Sequence, residues 1–422
     1  MNMKKMMVVA ALGLAAQTFA AVTITNVVCR QRYPWNGLVD IDYEIRSDNA
    51  SAKYFVYPKG EDRRLGTPIV MRTLTGDGAA EPVGIGTHRM TWDAKADMPA
   101  FHTPDFAVTL QALSQGAQYL VVDLSGGTNS VTYPVRYSTT PPDITNDKCR
   151  TTELWLRLVL PGTFMMGSPT TEDKRGSNEQ HHQVRLTRPY YIGVFELTQK
   201  QWMLVSGTTN AIYYTGDCRP ADAVSYNMIR GNDLGAQWPN SDSVDVDSFM
   251  GILRRKTTLK FDLPTEAQWE YACRAETTTE WNDGSSGGYV AIPGQINAYK
   301  NSRLDNLGRH TYNSGDGRDS YAQHTTVGLY QPNNWGIYDM HGNICEWCRD
   351  GYRAVMTTSA EVDPTGGESA ASRSRRGGGW SDAPSSCRAA SRTGNDPNVG
   401  PNPQYVADRG KFGFRVACLP VE

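Results

Sequence analysis

Charge of one sign is the first thing this 422-residue sequence lacks: 42 lysines and arginines stand against 44 aspartates and glutamates. No lysine or arginine run or basic stripe is available to meet a phosphate backbone, which argues against a nucleic-acid partner. Long apolar runs are missing too. The most apolar stretch, Met6 to Ala16, is too short to span a bilayer comfortably. Histidine is scarce, at seven residues. His181-His182 and His341 have no partner at ligand spacing and read as loop or packing residues. The C-x-x-C of Cys345-Glu346-Trp347-Cys348 has no second copy and no histidine pair. Two disulfides, or one disulfide and a buried thiol, are therefore favoured over a redox or zinc pair.

What is present begins with a leader. Lys4 and Lys5, the apolar run and Thr18-Phe19-Ala20 before Ala21 have the order of a secretory signal over residues 1–20, against the alternative of a buried N-terminal helix. No cysteine follows the cut, so a lipid anchor is not expected. The mature chain is expected to be secreted or periplasmic. Eight cysteines, Cys29, Cys149, Cys218, Cys273, Cys345, Cys348, Cys387 and Cys418, then fall in an oxidising compartment where an even count favours disulfides of unspecified connectivity. Cys29 is left free or paired with Cys149.

The length exceeds one typical domain of roughly 100 to 200 residues, so two folded units are expected. Over residues 21–137, Leu38-Val39-Asp40-Ile41-Asp42-Tyr43-Glu44-Ile45 and Phe106-Ala107-Val108-Thr109-Leu110 alternate with period two. That pattern predicts an all-β sandwich of antiparallel strands, immunoglobulin-like or fibronectin-like, with a spacing or docking role. Residues 138–148, STTPPDITNDK, cannot continue a helix or central strand and read as the linker. Residues 149–422 form the second unit. There Thr198-Gln199-Lys200-Gln201 and Thr265-Glu266-Ala267-Gln268 are capping boxes, with Trp269, Ala272 and Cys273 as an apolar stripe. Phe249, Ile252 and Leu253 predict a third helix, closed by Arg254, Arg255 and Lys256 at its negative end. From Ala275 to Trp335 no period survives, so order must come from metal ions, disulfides or aromatic anchors.

Gly342-Asn343-Ile344-Cys345-Glu346-Trp347 offers an amide oxygen, a main-chain carbonyl and a carboxylate on a short loop. These are hard donors of the kind calcium takes. The other reading is a Glu346 that hydrogen-bonds its own loop.

Several strings occur in one order: PGTFMMGS (161–168), RPYYIGVFELTQKQW (188–202), RPADAVSY (219–226), LPTEAQWEYACR (263–274), NNWGIYDMHGNICEWCRD (333–350), RRGGGWSD (375–382) and GFRVA (413–417). Together they resemble the formylglycine-generating enzyme, or sulfatase-modifying factor, family from about Leu154 to Leu419. The resemblance implies an α+β, C-type-lectin-like domain with little regular structure, held partly by calcium. It makes Asn343, Glu346 and the Ile344 carbonyl the ligands of one structural calcium site, and Asn297 the start of a second. It implies a cysteine or serine oxidase whose partner is an exported protein such as a sulfatase.

In the oxygen-dependent enzymes two cysteines five apart follow the double glycine, bind copper(I) and oxidise a substrate cysteine. Aligned without gaps, Asp382 takes the first position and Cys387 the second; anchored on Arg388-Ala389-Ala390-Ser391-Arg392, neither cysteine remains. A carboxylate beside one thiol suits another metal, such as non-heme iron, but two donors are few. The H-x-x-x-H-x-E string of the related sulfoxide synthases is absent from the sequence. Asp382 and Cys387 are therefore the catalytic candidates. In the competing reading, a non-catalytic ligand- or protein-binding module, Trp380, Ser381, Arg392 and the loop 394–409 shape the recognition surface.

Overall fold

The structure is a computed structural model. It describes residues 22–419 except 65–66, 70, 72, 80, 99–102, 104, 115–117, 210–213, 296–297, 314–322, 368–370 and 399–410. The expected leader, Asn297 and most of the 394–409 loop lie outside the described residues.

The chain divides into two compact units, one ending at Gln118 and one running from Tyr119 to Val421. In the first, Val22–Gln31, Leu38–Ser47, Gly86–Asp93 and Leu74–Gly76 form one antiparallel sheet. Thr67–Ile69, Tyr54–Asp62 and Phe106–Ser114 form another. The period-two pattern is realised side by side: Val39, Ile41, Tyr43 and Ile45 enter a core shared with Tyr54, Val56, Met90, Trp92 and Val108. The intervening carboxylates face arginines, Asp40 with Arg32 at 2.8 Å and Glu44 with Arg46 at 2.8 Å.

The second unit starts earlier than the linker reading placed it. Tyr119–Asp123 pairs with Glu153–Val159, and Val135–Ser138 pairs with Tyr119–Asp123. Both strands therefore join the six-stranded sheet completed by Tyr190–Gly193, Ala417–Cys418 and Phe261–Asp262. Residues 119–123 are a short continuous apolar run buried on both faces, and such a run marks a strand without naming its partner.

The expected helices form at Gln199–Ser206, Phe249–Thr257 and Glu266–Arg274. Both capping boxes are complete: Thr265 Oγ1 accepts from the Gln268 amide at 3.2 Å, while Gln268 Oε1 accepts from the Thr265 amide at 2.9 Å. Trp269, Ala272 and Cys273 are fully buried with Ile337, Met340 and Cys348. This mixed α/β unit is rich in sheet and poor in helix. Within the stretch that lacks periodicity, Trp281, Leu304 and Leu307 pack against Cys387, so aromatic and aliphatic anchors order it. All eight cysteines are free thiols, in contrast to the expected disulfides. For Cys345 and Cys348 there is a geometric reason: both lie on the strand Cys345–Gly351, where an odd separation sends side chains to opposite faces.

Candidate functional site

The site is built on the strand Cys345–Gly351, which pairs with Arg373–Arg376 on one side and Phe412–Gly413 on the other. On the face that turns toward the helix Glu266–Arg274, Glu346 is completely buried. Arg415 donates to both of its oxygens, Nε to Oε2 and Nη2 to Oε1, each at 2.6 Å. Trp269 Nε1 adds a third donor at 2.7 Å. Asn343, in the left-handed region at φ 61°, gives its Nδ2 to Glu196 at 2.5 Å, and its Oδ1 accepts from the Thr325 amide at 2.8 Å. The Ile344 amide donates to the other Glu196 oxygen at 3.0 Å.

The side chains that the resemblance assigns to calcium, Asn343 and Glu346, are engaged by protein partners in this structure. The side-chain oxygens meant for the ion already accept hydrogen bonds, and the Arg415 guanidinium supplies the positive charge that balances Glu346. The residues do not fit calcium in this arrangement. Among the described residues no cluster of three or more His, Cys, Asp or Glu side chains is placed to hold a metal. The electrostatics match a closed polar core. Burial, then the charges of Asp339 and Glu346, push the Glu196 carboxyl well above its usual range. Burial pushes Asp339 up to about 6. One arginine thus faces three carboxyls, and protonation relieves the remainder.

After Arg376 the chain turns through two left-handed glycines, Gly377 at φ 89° and Gly378 at φ 65°. Gly378 is obligatory here, because a Cβ would lie 2.8 Å from Cys387 Sγ and 2.7 Å from the Ser386 carbonyl oxygen. The turn closes between Gly379 and Asp382: Asp382 Oδ2 accepts from the Gly379 amide, and the Asp382 amide donates to the Gly379 carbonyl, both at 2.9 Å. Lys411 Nζ lies 3.7 Å from Asp382 Oδ1. Trp380, half-buried, donates its amide to Asn343 O at 2.8 Å. Its ring meets Tyr214 edge-on at 5.8 Å. Ser381 Oγ is buried without a hydrogen-bond partner.

Asp382 and Cys387 are both at this turn but play different parts. Asp382 is a turn cap, whereas Cys387 is fully buried, its thiol pushed well up by burial and then by the Asp382 charge. A hard carboxylate committed to a backbone amide, beside one sealed thiol, does not fit a linear copper(I) site. Two donors likewise do not make an iron site.

Arg392 is not on a surface. Its guanidinium donates to both oxygens of buried Glu266, each at 2.7 Å, beside Arg376 at 2.8 Å from the same carboxylate. His341 is a neutral packing group: Nδ1 lies 2.7 Å from the Cys387 carbonyl, Nε2 accepts from the Asn282 amide, and burial brings it down to about 4.

Sequence reasoning missed four participants. Arg415 was quoted inside GFRVA and Glu196 inside VFELTQ without roles, although a lone charge in an apolar string is the signal for a buried pair. Asp222 and His324 form a fully buried pair, Oδ2 to Nε2 at 3.3 Å, with Tyr214 edge-on to His324 at 5.3 Å. Nothing in sequence joins residues 102 apart.

A family model described as the sulfatase-modifying factor enzyme 1-like domain matches residues 143–418. The formylglycine-generating enzyme of Thermomonospora curvata is 30% identical over 170 residues, which is 38% of this chain and 50% of that protein. Its counterpart in Streptomyces coelicolor is 32% identical over 162 residues, 37% of this chain and 46% of that one. The chain thus spans half or less of the length of these curated relatives. Among solved structures, Treponema denticola variable protein 1 is 25% identical, with 64% of this chain and 96% of that one covered at a TM-score of 0.47.

Proposed function

We propose, on the premise that this chain belongs to the sulfatase-modifying factor enzyme 1-like domain family, that it is an exported oxidase of a cysteine in a partner protein such as a sulfatase. The product is a formylglycine. The reaction balances when the cysteine and one dioxygen, with two reducing equivalents from a thiol, yield the aldehyde, hydrogen sulfide and water. The observation that carries this reading is chemical: two buried thiols, Cys345 and Cys387, both abut Gly378. Trp380, half-buried on the same turn, supplies an aromatic wall for an incoming peptide.

Export rests on the leader-like residues 1–20; among the described residues no helix is long and apolar enough to cross a membrane. The two-sheet N-terminal unit, read as immunoglobulin-like, would dock the enzyme or space it from a surface. The C-type-lectin-like description of the second unit belongs to the same proposal.

A second reading, a binding module without chemistry, is favoured by one specific observation. Asp382, at the position of a copper thiolate, works as a turn cap. The two readings separate in one assay. The full chain is incubated with copper(I), oxygen, a thiol reductant and a peptide carrying a C-x-P-x-R string, and the peptide is followed by mass spectrometry beside Cys387→Ser. Loss of sulfur and gain of the aldehyde, abolished in the variant, is the expected result; an unaltered peptide that still binds would establish the module instead.

A further inference from the structure

The strand Arg373–Arg376 carries three arginines, and two of them have partners. Arg373 gives Nη1 and Nη2 to the carbonyls of Trp238 and Ala236 at 3.2 and 2.6 Å. Arg376 reaches Glu266 and Glu270, each at 2.8 Å. Arg375 is only 5% exposed and has neither kind of partner. Its Nε and Nη1 are buried without a hydrogen-bond acceptor, and among the described residues no carboxylate stands within ion-pair distance of it.

The register explains where this charge sits. Arg375 is paired with Trp347, and Cys345 with Phe412, so all four side chains leave one face of the sheet. The guanidinium lies 3.8 Å over the Phe412 ring and 5.4 Å from that of Trp347. Aromatic rings attract the flat side of the cation, but its N–H bonds lie in the plane and still need acceptors. Taking a guanidinium out of water is costly unless an anion meets it. The nearby Asp382 carboxylate does not fill that place: it caps the Gly379 amide and has Lys411 at 3.7 Å.

We propose that Arg375 is an anion-binding residue whose in-plane donors take a carboxylate, beside the rings of Phe412 and Trp347. A carboxylate suits it better than a spherical ion, because the planar fork of N–H groups matches two oxygens at once. Two sources supply that chemistry: a free small carboxylate, and an aspartate or glutamate of a partner segment that enters beside Cys345. The second source rests on the oxidase reading; the site itself does not.

The full chain is melted in sodium acetate and in sodium chloride at equal ionic strength, as wild type, Arg375→Met and Arg375→Lys. Acetate is expected to raise the wild-type melting temperature above its value in chloride, as a ligand of the folded state does, and to give no such difference in Arg375→Met. Arg375→Lys keeps the charge without the fork and is expected to need about tenfold more acetate for the same rise; it carries the comparison should the methionine variant not fold. Calorimetry then compares two peptides with a C-x-P-x-R string, one with aspartates flanking the cysteine and one with asparagines. The acidic peptide is expected to bind the wild type tighter by about tenfold or more, and both to bind Arg375→Met alike. An acetate response without a peptide preference assigns the site to a free carboxylate. A wild type that responds to neither acetate nor the acidic peptide, or an Arg375→Met variant that responds as the wild type does, overturns the inference. Acidic peptide that binds through Arg375 but is never converted leaves the site standing and removes the oxidase reading.

Discussion

The two faces of the strand Cys345–Gly351 make opposite use of the same backbone. On one, Glu346 has both oxygens taken by Arg415 and Trp269, Cys348 is sealed in the core, and Asp350 accepts from the Glu266 amide at 2.8 Å. On the other, Cys345 meets a turn of two left-handed glycines, a second thiol, and a serine hydroxyl with no partner. Saturated polar networks specify structure; unsatisfied groups beside soft nucleophiles mark places where something else is meant to bind. The motif that advertised a metal site on the first face is occupied by a guanidinium, and the face that the motif left unremarked carries the thiols.

The sharpest way to break this contrast is Glu346→Ala. It strands Arg415 as an unpaired buried charge and is expected to cost about 3–5 kcal/mol, read by denaturant unfolding of the full chain. The loss should be the same with calcium and with a chelator. A wild-type melting point that drops on chelation, and does so only when Glu346 is present, would return the site to calcium.

A smaller effect belongs to the neighbouring carboxyl. The folded state holds Asp339 at about 6 against an ordinary 3.8, so it binds more protons than the unfolded chain between those values. Its contribution is therefore fully present at low pH and is lost as pH rises through that window, by up to about 3 kcal/mol. Asp339→Asn keeps the acceptor for the Gly328 amide, bonded at 2.6 Å, and is expected to flatten this part of the stability profile. An unchanged slope in a pH series of unfolding curves would show that Asp339 titrates normally.

Much of the scaffold was legible in the residues because its rules are local. Alternation along Leu38–Ile45 fixed which side chains enter the core, and Thr198 and Thr265 announced their helices three residues ahead through side-chain to backbone bonds. The site was legible only in outline. Glu346 and Arg415 lie 69 residues apart, Asp222 and His324 102 apart, and Cys345 and Cys387 42 apart; periodicity carries no information on such pairings. The disulfides expected from an even cysteine count failed for a similar reason, since counting thiols says nothing of which face of a strand each one leaves. Arg392, placed by its motif on a recognition surface, is drawn inward by Glu266, whose two oxygens accept from two arginines at once.

The contrast between the two faces comes down to which cysteine of the C-x-x-C matters. Peptide-cysteine conversion, measured by mass spectrometry in parallel for Cys345→Ser and Cys348→Ala under copper(I) and oxygen, decides it. The account predicts that the first variant loses conversion while the second keeps it; equal activity in both, or loss only in Cys348→Ala, would contradict it.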